Sequence, residues 1–361
     1  MPRPTLYVAI TNHGFGHATR AAAIAATVQA LLPEVDLVLA TRAPQWLLDE
    51  YLVGAYEYRP VAFDIGVLQA DSLTMDLPTT LAQLRQIQQG ADHTVAAEAA
   101  YLRQRGVTLV LADIPPLATA IAHAADLPCW MVSNFGWDFI YRAFGHEFTA
   151  VADWIAALFS QCDRLFRLPF HEAMAAFPVV TDIGLTGGSP RYSPSQLRAQ
   201  WQLHTPRQQT VLLTFGGLGL QAIPYQGLAR FPDWQFLSFD QGLPELPNLF
   251  PVPRTGFRPV DVMPLCGRVV SKPGFSTFSE ACRLDVPIVT IPRDDFAEGP
   301  VLVNGLQNHS WHQVLTAEAF FGGGWEFLAQ PLQPPRTPQR LAKDGNQQIA
   351  AAIVDYLTAQ P

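Results

Sequence analysis

At 361 residues, 49% of them hydrophobic, the chain is long enough to bury two cores. Its 31 acidic against 23 basic residues give a formal charge of −8, and no basic stripe with interleaved aromatics occurs, which argues against a nucleic-acid partner. No apolar run reaches the length of a bilayer span, and Cys129, Cys162, Cys266 and Cys282 lack C-x-x-C spacing, which argues against a disulfide framework and a structural zinc.

The first strand candidate, residues 6–11, stands just behind the amino terminus without an apolar leader, so no secretory signal and a cytoplasmic location are expected. Peripheral contact with lipid stays open, because an apolar helix face reads the same against a core or a membrane. After this strand comes T-N-H-G-F-G-H, a strand-to-helix turn leading into an alanine-rich helix over 19–32. Gly14 and Gly16 admit backbone shapes closed to other residues, the helix start suits an anion, and Arg20 adds a charge-assisted contact. His13 or His17 in such a loop is a candidate general base or anion donor at neutral pH. The glycines interrupt any helix that would pair these histidines on a metal, so no metal is expected. The turn also lacks a third glycine, and Thr41-Arg42 stand where a dinucleotide site needs an acid.

Further strands are expected at 36–40, 108–112, 129–133 and 164–168, with a long helical segment over 80–106 that Gly90 breaks. Asp113 ends one of them, and Asn134, Trp137 and Asp138 follow another, so all four are placed at ligand-facing strand ends. Near residue 180 glycines, prolines and serines cluster as in a linker. The alternation resumes with strands at 210–215, 235–239, 268–271 and 287–291. Gly216 and Gly217 follow the first of these. Gly274, then Ser276 and Thr277 as cap candidates with Glu280 in the first helical turn, follow the third, and Asp295 and Glu298 follow the fourth. Alternating strands and helices of this kind predict two doubly wound, Rossmann-like α/β domains facing a cleft: 1–182, 183–345, and a carboxyl-terminal helix over 346–361 that crosses back to the first.

In the stretches HGFGHATR, SNFGWDFIY, RLP at 167–169 and SKPGFSTFSEA to RDDFAEGP, the chain resembles GT-B glycosyltransferases. The likeness is to the glycosyltransferase-like amino-terminal part of plant L-arabinokinases and to the lipid II-forming N-acetylglucosaminyltransferases. The resemblance implies transfer of a hexosyl or N-acetylhexosaminyl group from a nucleoside diphosphate sugar, UDP foremost, to a hydroxyl of a small or lipid-linked acceptor, with no cofactor and no metal. It implies that Glu280 holds the ribose and that Gly274, Ser276 and Thr277 meet the diphosphate. It also implies that Asp295 or Glu298 accepts from the sugar, and that Gly216 and Gly217 line the floor. His17 is then the base, with Asp113 as its orienter or substitute, while His13, Gly14, Gly16, Arg20, Asn134, Trp137 and Asp138 form the acceptor or phosphate loops. A sugar- or nucleotide-binding protein without transfer, and a sugar-nucleotide epimerase, are the alternatives.

Overall fold

A computed structural model of the chain describes residues 3–69, 75–216 and 223–359. The chain divides into two compact units, the first built from residues up to Gly187 together with 342 onward, the second from 188–341.

In the first unit seven parallel strands, β1 (Thr5–Ile10), β2 (Asp36–Ala40), β3 (Glu57–Arg59), β4 (Val107–Asp113), β5 (Cys129–Ser133), β6 (Arg164–Arg167) and β7 (Val180–Asp182), pair in the order β3-β2-β1-β4-β5-β6-β7. The central strands are mostly apolar on both faces because helices cover both; Leu6, Val8, Leu109 and Leu111 are fully buried. The helical segment expected over 80–106 is two helices, Leu77–Gln89 and Ala91–Arg105, meeting at Gly90. The last helix, Gly345–Thr358, buries Ile349, Ile353 and Leu357 and packs on Gly16–Leu31. Asn346 fixes its start by bonding both the N–H and the carbonyl of Gly187.

In the second unit β8 (Thr210–Leu213), β9 (Gln235–Ser238), β10 (Leu249–Pro251), β11 (Arg268–Ser271), β12 (Ile288–Thr290) and β13 (His312–Val314) form a parallel sheet in the order β10-β9-β8-β11-β12-β13. One face carries Val211, Leu213, Phe236, Val270 and Val289 against Phe320, Trp325 and Phe327. Both units are therefore doubly wound α/β sheets. All four cysteines are buried and unbridged. Among the described residues no helix is long and apolar enough to cross a membrane.

Each sheet reverses its strand order once, between β1 and β4 in the first unit and between β8 and β11 in the second. Chain connections leave such a point in opposite directions and open a crevice at the carboxyl ends of the two strands, which is where ligands bind in open α/β sheets.

Candidate functional site

At the first reversal β1 and β4 end side by side, Ile10 opposite Asp113, and the N–H of Thr11 donates to the carbonyl of Asp113 at 2.7 Å. The helix that follows β1 begins at Gly16, three residues before the alanine-rich composition alone places it. This shift puts His17 and Arg20 one helical turn apart on one face, within reach of the same partner. His17 Nδ1 lies 2.7 Å from Asp113 Oδ1, while Arg20 donates through Nε to Oδ2 at 2.7 Å and through Nη2 to Oδ1 at 2.5 Å. Arg20 Nη1 reaches Asn134 Oδ1 at 3.3 Å, which draws the end of β5 into the same group.

All of these side chains are buried, Asp113 completely. Burial pushes the Asp113 carboxyl up, but the charge and hydrogen bonds of Arg20, and then those of His17, outweigh it and hold it below the ordinary carboxylate range. His17 Nδ1 lies between Asp113 Oδ1 at 2.7 Å and Arg20 Nη2 at 3.0 Å; its shorter contact, to a carboxylate that only accepts, is met when Nδ1 carries the proton and Nε2 the lone pair.

The other expected residues of the first unit fall into two groups. Gly14 has φ +61, the left-handed turn that a side chain would strain, and no atom stands where its Cβ would be. Gly16 opens the helix. His13 Nδ1 accepts the N–H of Val67 at 3.3 Å, so this ring fastens the loop. Trp137 corrects an expectation: its ring is fully buried and offers no face to a sugar. Its indole N–H donates to Thr11 Oγ1 at 3.1 Å, and the ring packs edge-on against His13 and Phe135. A tryptophan between two phenylalanines behaves here as core. Asp138, one residue on, is partly buried with its carboxyl pushed up by burial, and Oδ1 has no hydrogen-bond partner among the described residues.

Asp64 is a participant that sequence reasoning missed. It is 5% exposed, accepts the N–H of Asn12 at 2.8 Å and the hydroxyl of Thr11, and burial pushes its carboxyl up. The available signal is a lone acid between Phe63 and Ile65 in an otherwise apolar stretch.

At the second reversal the chemistry is of another kind. Gly216, just beyond β8, has φ +81, and its absent Cβ would lie 3.7 Å from Lys272 Cε, which brings the loops after β8 and β11 together and adds a lysine that sequence reasoning passed over. Gly217 lies outside the described residues. The helix after β11, Phe275–Arg283, starts at Gly274 with no side-chain cap, so Ser276 and Thr277 are not caps; they occupy the first turn, partly exposed. Glu280 belongs to the second turn rather than the first. It is 5% exposed, its Oε1 accepts the N–H of Gly188 at 2.8 Å, and burial raises its carboxyl to about 7. After β12, Asp295 is exposed with Oδ1 3.4 Å from the buried Arg293 Nε, and Glu298 begins the helix Glu298–His309. Gly299 is required there, since a Cβ would collide with the Arg293 carbonyl. Among the described residues no group of three or more His, Cys, Asp or Glu stands together as a metal site would.

No family model matches the chain. In sequence it is 29% identical over 331 residues to L-arabinokinase of Arabidopsis thaliana, a match that covers 88% of this chain and 31% of the relative's length. In structure it resembles UGT2 of Phytolacca americana, solved with UDP-2-fluoro-glucose and pterostilbene, with a TM-score of 0.61 and 14% identity over 98% of this chain and 94% of that one. A UDP-glucosyltransferase of Polygonum tinctorium capable of glucosylating indoxyl gives a TM-score of 0.62 and 13% identity over 99% and 94%. The glycosyltransferase SnogD of Streptomyces nogalater gives 0.55 and 17% over 100% and 96%. The chain thus has the two-domain α/β fold of the GT-B glycosyltransferases.

Proposed function

We propose that the chain transfers a glycosyl group from a UDP-sugar to a hydroxyl of a small-molecule acceptor, without a metal. His17 Nε2 takes the acceptor proton, and the positive charge that develops on the ring is met by Asp113 through Nδ1–H. One observation carries this reading: the 2.7 Å contact between His17 Nδ1 and Asp113 Oδ1, placed where the strand order of the first sheet reverses.

The donor falls to the second unit. The uncapped start of the helix Phe275–Arg283, Ser276, Thr277 and Lys272 meet the diphosphate, where N–H groups and a cation stabilise the leaving group. Glu280 takes the ribose hydroxyls, Asp295 and Glu298 the sugar, and Gly216 lets the main chain approach the ligand. That solved structures of the same fold carry UDP or a UDP-sugar supports the choice of nucleotide.

The test is a thermal-shift panel of UDP, GDP, ADP and UDP-glucose, since a ligand bound only by the native state stabilises it by RT ln(1 + [L]/Kd). UDP is expected to raise the melting temperature, and Glu280→Ala to abolish the rise. No shift with any of the four removes the donor assignment. Binding without turnover is a second reading, favoured by the match to only 31% of a relative named for a kinase. A UDP shift with no UDP release from UDP-glucose, either to water or to any of a broad panel of hydroxyl acceptors, would establish it.

A further inference from the structure

Residues 63–67, Phe-Asp-Ile-Gly-Val, follow the edge strand β3 and fasten the start of the histidine loop at successive positions. Asp64 accepts from the Thr11 hydroxyl and from the Asn12 N–H at 2.8 Å, and Val67 donates its N–H to His13 at 3.3 Å. Gly66 has φ +59, and a Cβ there would come within 2.5 Å of the His13 Cβ, so only glycine lets the two segments lie this close. The Gly66 carbonyl accepts in turn from Tyr141 at 2.7 Å, which anchors the segment to the core.

The direction of the hydrogens is set by one donor that cannot act otherwise. An indole N–H only donates, and Trp137 spends it on Thr11 Oγ1 at 3.1 Å. The Thr11 proton is then directed to Asp64 Oδ2, and the Asn12 N–H to Oδ1, so both carboxylate oxygens act as acceptors. An amide at position 64 would turn its NH2 toward one of these two partners: against the Asn12 N–H it meets a donor, and against Thr11 Oγ1 it takes away the acceptor of the Thr11 proton. Asp113, by contrast, is already matched by the paired nitrogens of Arg20. The chain thus contains a second buried carboxylate near its histidine that is aimed at the loop and not at the reacting centre.

We propose that Asp64 is a positioning residue for His17: through Thr11 and Asn12 it fixes the loop that sets where the His17 ring stands. This rests on the reading of His17 as the base. Asp64 touches no reacting atom, and its effect is transmitted through the loop alone.

The experiment compares wild type, Asp64→Asn, Thr11→Val and Thr11→Ser in two measurements. The first is the rate at which diethylpyrocarbonate modifies His17, mapped by mass spectrometry with the exposed His204 as internal standard. The second is UDP release from UDP-glucose with water as the glucosyl acceptor, whose proton His17 takes. Asp64→Asn and Thr11→Val are expected to speed modification of the 8%-exposed His17 about 10-fold and to lower kcat by up to about 100-fold, with KM within about twofold. Thr11→Ser, which keeps the hydroxyl, restores both. If wild type releases no UDP, the reading of glycosyl transfer fails while the modification rates still decide the role of Asp64. Should Asp64→Asn not fold, Thr11→Val against Thr11→Ser makes the same comparison. Wild-type modification rates in both Asp64→Asn and Thr11→Val, or equal losses in Thr11→Val and Thr11→Ser, would overturn the proposal.

Discussion

The two strand-order reversals occupy the same place in two similar sheets, yet they are furnished in opposite ways. At β1 and β4 the residues are charged, buried and bonded to one another: Asp113 holds His17 and Arg20, and Arg20 reaches Asn134. At β8 and β11 the residues are glycines, Lys272 and small hydroxyls, none of them buried, around a helix start that no side chain caps, with the buried Glu280 one turn further on. The first arrangement satisfies its charges internally, and the second presents main chain and short side chains to a ligand. Damage at the first should therefore appear in stability as well as in chemistry, and damage at the second mainly in ligand binding.

The largest effect is expected from Arg20→Met. It leaves the fully buried Asp113 carboxylate without its cation, and losing one member of a buried ion pair costs about 3–5 kcal/mol. Urea unfolding measures it. A loss below about 1 kcal/mol would mean that the first reversal is not internally balanced.

Glu280 gives a smaller effect with a defined sign. Its folded value of about 7 lies above the ordinary 4.5, so the native state keeps a proton that the unfolded chain has lost. Stability from this group is complete below about 4.5 and is lost as pH rises through about 7. Glu280→Gln has no proton to lose, so between pH 5 and 8 its melting temperature should fall less than that of wild type. Parallel curves would show that the Glu280 carboxyl is not buried as described. The same titration bears on function, because the ionised form that is gained as pH rises is the better acceptor for ribose hydroxyls, and UDP should bind more tightly at pH 8 than at pH 6.

Gly216→Ala should be mildest in stability. At φ +81 a side chain costs about 1 kcal/mol, and the space around this Cβ is otherwise open to 3.7 Å. The expected signature is a melting temperature lowered by a few degrees with a disproportionate loss of the UDP-induced shift.

How much of this was legible in the sequence follows from where each residue sits. The central strands announce themselves as apolar runs because both faces are covered, and each of the nine expected strands is present within a few residues of its place. The strands missed are β3, β7, β10 and β13, the two edges of each sheet. Each is three residues long, too short to stand out as a run, and in Glu57-Tyr58-Arg59, Val180-Thr181-Asp182 and His312-Gln313-Val314 polar residues interrupt it.

The site divides along the same lines. Asp113 ends a central strand and was read from that position, whereas His17 was read from the glycine turn that leads into the helix after β1. Trp137 reads in sequence equally as platform or core, as any aromatic cluster in a loop does, and its burial decides for core. Asp64 was invisible because it follows the edge strand β3 and meets the histidine loop only in three dimensions, across 52 residues to Asn12. Ser276 and Thr277 were read as caps from composition, whereas Gly274 in extended conformation begins that helix without them.

The most direct test compares wild type with His17→Gln for UDP binding by calorimetry and for UDP release from UDP-glucose. If His17 is the base, the variant binds UDP as wild type does and releases it about 10²–10⁴ times more slowly. Equal release by the two proteins would contradict the account.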